Sequence, residues 1–200
     1  MIKIDGCDYF EDLDGGKIFI TSDLHFCHNR DFLYEPRGFN SIEEHNEVII
    51  KLWNETVGEN DTVFILGDLM LNDNVAGINE LRRLNGYLFV VAGNHDSDTR
   101  IELYKNELSW KIDSVQYAYR LKYHGYNFFL THYPTLTSNN DYDKLLKRKT
   151  INLCGHSHVS DPFADWDKGL IFHTELDTNN NKPWLLDDII KKIEEKVKHG

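Results

Sequence analysis

Short, almost continuously apolar runs alternate along the chain with stretches where apolar residues recur every three or four positions. The runs cover residues 17–22, 62–66, 87–92, 126–131 and 151–154. Each is closed by a polar or Gly-containing segment, the pattern of strands buried on both faces. Residues 111–122 and 170–174 read as two further strands. Helical periodicity fills the gaps. Ser41-Ile42-Glu43-Glu44 is a capping box, followed by Ile42, Ile49, Leu52 and Trp53 on one face and Gly58 as a stop. Val75, Ile78, Leu81 and Leu84 repeat at helical spacing up to Gly86. Ser97 or Asp98 caps a helix carrying Ile101, Tyr104 and Leu108. Asp187 caps a last one with Ile189, Ile190, Ile193 and Val197. This alternation predicts an α/β sandwich rather than an all-β barrel.

Composition places the chain among soluble globular proteins. Its 200 residues are the size of one domain, expected over 1–200, with 40% apolar and 28% charged residues. No apolar run approaches the roughly 20 residues needed to span a bilayer, and the start has no signal-like stretch. Cys7, Cys27 and Cys154 are unclustered, which suggests neither a disulfide framework nor a thiolate zinc site. A cytoplasmic, membrane-free protein is expected. The net charge of −11 argues against tight coating of duplex nucleic acid, where phosphate contacts dominate. A phosphate-bearing substrate stays compatible with that charge, because bound divalent cations reverse the local field.

The ten histidines change the picture most. Residues 17–22 run into Asp23-Leu24-His25, and 62–66 into Gly67-Asp68. Residues 87–92 run into Gly93-Asn94-His95-Asp96, 126–131 into His132, and 151–154 into Gly155-His156-Ser157-His158. Five strands thus end in side chains able to bind a metal, at the sheet edge where α/β folds bind ligands. Imidazoles and carboxylates with one amide suit Mn, Fe, Zn and related ions, not Ca²⁺. Asp23 and His25, like His156 and His158, are two residues apart and point to one side of an extended chain. Two such pairs with Asp68 and Asn94 suggest two ions.

These five ordered blocks resemble the calcineurin-like metallophosphoesterases, and they run from residue 23 to 158. The resemblance implies a four-layer α/β/β/α sandwich of mixed sheets with a dinuclear site at the strand C-terminal ends. It implies Asp23, His25 and His158 around one ion, Asn94, His132 and His156 around the other, and Asp68 bridging both. His95 would face the substrate and protonate the leaving oxygen, with Asp96 orienting it. Manganese is the first expectation for the two divalent ions, with Fe, Ni, Co, Zn or Mg as alternatives. His28 and Arg37 are candidate substrate contacts, Arg37 as a phosphate clamp. Cys27 stands where family members often carry Gly. Taken singly, each block has an ordinary explanation: Gly-Asp as a turn, Asn-His-Asp as a helix cap, Gly-His-Ser-His as a surface loop.

The substrate reading is narrower than the family. Gly67-Asp68-Leu69-Met70-Leu71-Asn72 lacks the Arg that follows this block in Ser/Thr protein phosphatases. The opening Asp23-Leu24-His25-Phe26-Cys27-His28 looks like the short bacterial and phage members. A metal-dependent phosphodiesterase acting on a small phosphate ester, such as a nucleotide, is expected. A phosphomonoesterase and a non-catalytic binding module on the same fold are the alternatives.

Overall fold

The computed structural model describes residues 2–4, 7–10, 16–137 and 145–199. Two mixed sheets pack face to face. In the first, β3 (Ile18–Thr21), β4 (Thr62–Ile65), β5 (Tyr87–Val91) and β6 (Ile112–Gln116) run parallel, and β11 (Trp184–Leu185) joins β3 antiparallel. The second has the order β10 (Ile171–His173), β9 (Thr150–Cys154), β8 (Tyr126–Thr131), β7 (Ala118–Tyr123), β1 (Ile2–Ile4) and β2 (Cys7–Phe10). Its first three strands are parallel and the others antiparallel.

The register explains where the loops meet. Thr21 pairs with Ile65, and Ile65 with Val90, so β3, β4 and β5 end level. Leu130 pairs with Leu153, so β8 and β9 also end together. All five motif blocks therefore emerge along one edge of the sandwich.

Ile20, Phe64 and Val91 face Tyr119, Phe128 and Leu153 across the inter-sheet core, where Phe64 and Phe89 stack at 5.1 Å between centroids. Each such fully buried side chain contributes about 2 kcal/mol. On the opposite side of the first sheet, Phe19, Val63, Ile65 and Val90 pack against α2 (Ile42–Thr56), α3 (Asn74–Arg82) and α4 (Asp98–Glu107). Ser41 Oγ accepts from the Glu44 amide, while the Glu44 carboxylate reaches back to the Asn40 amide, one residue earlier than a standard capping box.

Several sequence expectations change. Residues 111–122 are not one strand: β6 belongs to the first sheet and β7 to the second, with the chain crossing between sheets at Tyr117. Continuous β propensity carries no signal of a change of sheet. Val75 is exposed, because it lies in the first turn of α3 beyond the packed face. Asp73 caps α3 instead, accepting from the amides of Val75 and Ala76. The last helix, α6 (Leu186–His199), begins before Asp187, which sits in its first turn where a carboxylate complements the dipole. Two single-turn helices, α1 (Asp31–Tyr34) and α5 (Trp166–Gly169), carried no periodic signal. No helix among the described residues is long and apolar enough to cross a membrane.

Candidate metal centre

The loops reach the site through backbone that side chains rarely adopt. Asp23, His25, Asp68, His156 and His158 all have positive φ, between 49° and 75°. Each left-handed non-Gly residue costs on the order of 1–2 kcal/mol, and such strain concentrates at functional sites. Parallel pairing continues past β3 and β4 to hold it: the amides of Asp23, His25 and Phe26 donate to the carbonyls of Gly67, Asp68 and Leu69. Gly67 has φ +97°, and a Cβ there would lie 2.5 Å from His132 Nδ1. A Cβ on Gly93 or Gly155 would lie within 2.4 Å of a carboxylate oxygen of Asp68 or Asp23. These glycines let two backbones close on two acids.

Donor atoms converge in two groups. Asp23 Oδ1 lies 3.6 Å from His25 Nε2 and 3.5 Å from His158 Nε2, and the two imidazole nitrogens are 3.2 Å apart. Asn94 Oδ1 lies 2.8 Å from His132 Nε2 and 3.0 Å from His156 Nδ1. Asp68 Oδ2 stands between them, 3.7 Å from His25 Nε2 and 3.5 Å from His132 Nε2. Spacings near 3.0–3.4 Å are those of donors about 2.1 Å from one cation.

The donors themselves test the fit of a cation. Asp23 is wholly buried, its Oδ2 accepts from the His156 amide at 2.9 Å, and its Oδ1 receives no hydrogen bond. His132 Nδ1 lies 2.8 Å from the Leu66 carbonyl, so it carries the proton and Nε2 presents a lone pair towards Asn94 Oδ1. Lone pairs aimed at one another across 3 Å repel unless a cation lies among them. Burial would raise the Asp23 carboxyl, but the nearby imidazoles of His25 and His158 hold it below the usual carboxylate range. Burial pushes Asp68 up to about 6.

The other predicted residues fall around this cluster. His95 Nε2 lies 4.0 Å from Asp68 Oδ2, and its ring is partly exposed at the mouth. Its amide donates to Asp68 Oδ1 at 2.9 Å, and its carbonyl accepts from Arg100. Burial, with Arg100 and His132 nearby, lowers its pKa. His28 packs against His25 and His95, with ring centroids 5.3 and 5.9 Å away. Burial and these two rings bring it down to about 4. Exposed Phe32 meets His28 edge-on, and half-exposed Tyr133 meets His132 and His156 edge-on.

Two placements differ from the sequence reading. Asp96 does not orient the His95 ring. Its buried carboxylate accepts from the amides of Asp68, Leu69 and Gly93 and from the Tyr104 hydroxyl, fastening the Asp68 loop to the Asn94 loop. Arg37 is not a solvent-facing clamp. Its side chain is 0% exposed, and its guanidinium donates to both oxygens of Asp177 and to the Asp23 carbonyl, beside His45. Short-range sequence patterns could not show these, because the deciding partners are distant: Asp68 lies 28 residues from Asp96, and Asp177 lies 140 from Arg37. Asp177, Glu175 and Tyr104 had no motif to mark them. Cys27, with φ +63°, takes a left-handed position suited to Gly.

Comparison with known proteins gives the family and the fold. The model of the calcineurin-like phosphoesterase superfamily domain matches residues 17–173. An uncharacterized protein of Methanocaldococcus jannaschii is 32% identical over 184 residues, 89% of this chain and 92% of that one. The gene 66 protein of Mycobacterium phage L5 is 29% identical over 160 residues, 70% of this chain and 76% of its own. The crystal structure of a protein of unknown function from Aquifex aeolicus shares the fold, with a TM-score of 0.66 at 21% identity, covering 88% of this chain and 99% of that one. Since the match takes in every motif-bearing loop at the sheet edge, the chain belongs to the calcineurin-like phosphoesterase superfamily, metal-dependent hydrolases of phosphoric esters.

Proposed function

We propose that the protein is a dinuclear phosphodiesterase acting on a small nucleotide-type ester. The observation that carries this reading is the position of Asp68 Oδ2 between two groups of donors, 3.7 Å from His25 Nε2 and 3.5 Å from His132 Nε2. Asp23, His25, Asp68 and His158 would hold one ion, and Asp68, Asn94, His132 and His156 the other. Manganese suits this N/O set, and Fe, Ni, Co, Zn or Mg are the alternatives. Two bound divalent ions supply Lewis acidity, which neutralises phosphoryl charge and makes water a nucleophile near neutral pH.

The chain's own residues do the rest. His95 stands at the open side of Asp68, within reach of a departing alcohol oxygen, and donates its proton there. An anionic substrate beside the ring favours the protonated form that this step needs. Asp96, through its bonds to the amides of Asp68 and Gly93, keeps the bridging acid and the His95 loop in register. Phe32 presents an exposed ring beside His28 and Tyr133 one beside His132 and His156, suited to planar substituents on a diester. Arg37 is bonded to Asp177 and unable to clamp a dianionic monoester, which also favours the diester. A cytoplasmic nucleotide pool would supply such substrates.

Chelator-stripped protein, given back Mn²⁺, Ni²⁺, Mg²⁺ and Zn²⁺ in turn, tests the proposal with bis-p-nitrophenyl phosphate against p-nitrophenyl phosphate. Cleavage of the diester should exceed that of the monoester. His95→Asn should lower turnover by about 10²–10⁴-fold while keeping both ions. Monoester preference would instead make the protein a phosphatase. Silence in protein loaded with two ions would favour a binding module.

A further inference from the structure

The segment just beyond β10 lies outside the span matched by the family model, which ends at residue 173. It carries two acids two positions apart, Glu175 buried and Asp177 partly buried, and both hold the Gly155–His158 loop. Glu175 is fully buried, and its Oε1 accepts from the Ser157 amide at 3.1 Å. The same oxygen lies 3.1 Å from His173 Nδ1, and His173 Nε2 lies 3.1 Å from Asp165 Oδ2. Asp177 holds the loop by its side chain instead: Oδ2 lies 3.4 Å from His158 Nδ1. Arg37 grips Asp177 from behind, with Nε 3.1 Å from Oδ1 and one terminal nitrogen 2.7 Å from Oδ2. That nitrogen also donates to the Asp23 carbonyl at 2.9 Å.

We propose that Asp177, braced by Arg37, is the positioning residue for His158, and thereby sets the affinity of the ion held by Asp23, His25 and His158. This rests on the dinuclear reading above. His158 Nδ1 has the acid and the guanidinium both at 3.4 Å. The guanidinium hydrogens on that side are already given to Asp177 and Asp23, so Nδ1 carries the proton and donates it to Asp177. Nε2, 3.5 Å from Asp23 Oδ1, is then left with its lone pair facing the cation position. A carboxylate behind an imidazole fixes both tautomer and ring orientation and makes the outer nitrogen more basic. Arg37 touches Asp177 and the Asp23 backbone together, so one side chain sets the distance between two ligands of the same ion.

Stepwise Mn²⁺ binding to chelator-stripped protein, followed by calorimetry with elemental analysis, tests the inference. The series comprises wild type, Asp177→Ala, Asp177→Asn, Arg37→Lys, His158→Ala and the double variant Asp177→Ala/His158→Ala. Circular dichroism of each metal-free protein checks folding. Asp177→Ala should weaken one of the two binding steps by about 10–100-fold and leave the other within a factor of three. Asp177→Asn keeps an acceptor for Nδ1 but loses the pair with Arg37, so it should fall between wild type and Asp177→Ala. It also serves if the alanine variant does not fold. In the His158→Ala background, Asp177→Ala should add nothing, which a general packing role would not produce. Unchanged binding in Asp177→Ala, equal weakening of both steps, or additive losses in the double variant would overturn the inference. If wild type takes up a single ion, the dinuclear reading fails. The positioning role then stands or falls on whether Asp177→Ala weakens that ion.

Discussion

Gly67→Ala separates the cost of left-handed backbone from the cost of close approach. Gly125, in the turn between β7 and β8, has φ +81°, and a Cβ there would meet the flexible Lys147 side chain no closer than 3.5 Å, an ordinary contact. Gly67 has φ +97°, and its added Cβ would lie 2.5 Å from His132 Nδ1, 2.8 Å from Gly93 Cα and 2.9 Å from Gly93 N. Both substitutions bear the left-handed penalty of about 1–2 kcal/mol. The Gly93 atoms are backbone and cannot swing aside, so Gly67→Ala adds an overpacking cost of about 1–3 kcal/mol. The difference between the two variants is therefore the contact term alone. In urea unfolding of metal-free protein, with a slope of about 2 kcal/mol/M, it should appear as a midpoint gap of roughly 0.5–1.5 M. Displacing His132 and the Gly93–Asn94 loop should also weaken Mn²⁺ uptake in Gly67→Ala and leave it intact in Gly125→Ala. Equal midpoints, or normal uptake in Gly67→Ala, would refute the reasoning.

Other outcomes follow from particular contacts. Tyr104 is fully buried and donates to Asp96 Oδ1 at 2.8 Å, so Tyr104→Phe should destabilise by about 1.5–3 kcal/mol in the same assay. A loss under 0.5 kcal/mol would mean that the Asp96 knot does not need it. Buried Lys111 donates to the carbonyls of Leu84 and Gly86, and burial brings its pKa from 10.5 down to about 8. Between those values the unfolded chain binds the proton more tightly than the folded one. Stability relative to Lys111→Met should therefore rise with pH from about 8 to 10.5, by up to about 3 kcal/mol, and a flat difference would count against a buried charged lysine. Phe32→Ala and Tyr133→Ala should raise KM for nucleotide diesters by about 5–100-fold with little change in kcat, since base stacking is worth about 1–3 kcal/mol. Unchanged KM would remove both rings from the substrate site. Adding Mn²⁺ at 100 times its Kd to chelator-stripped protein should stabilise it by about 2.7 kcal/mol per site, read as a rise in Tm. No shift would show that the ion does not bind the folded state preferentially.

What could be read from the sequence alone was local or periodic. The five runs before the motif blocks form β3, β4, β5, β8 and β9, because buried strands need continuous apolar side chains whatever they pair with. The order Asp23, His25, Asp68, Asn94, His95, His132, His156, His158 was legible because chemistry restricts residue type at loop ends. The tertiary structure decided everything that depends on partners distant in the chain. It split 111–122 between two sheets, since strand propensity is blind to which sheet a strand joins. It turned Arg37 inward onto Asp177, 140 residues away, and Asp96 onto the Asp68 and Gly93 amides rather than the His95 ring. An arginine or aspartate has the same donors and acceptors in any setting. Whether they face a substrate or a buried partner is set by burial, because a charge removed from water must find its counter-charge in the fold.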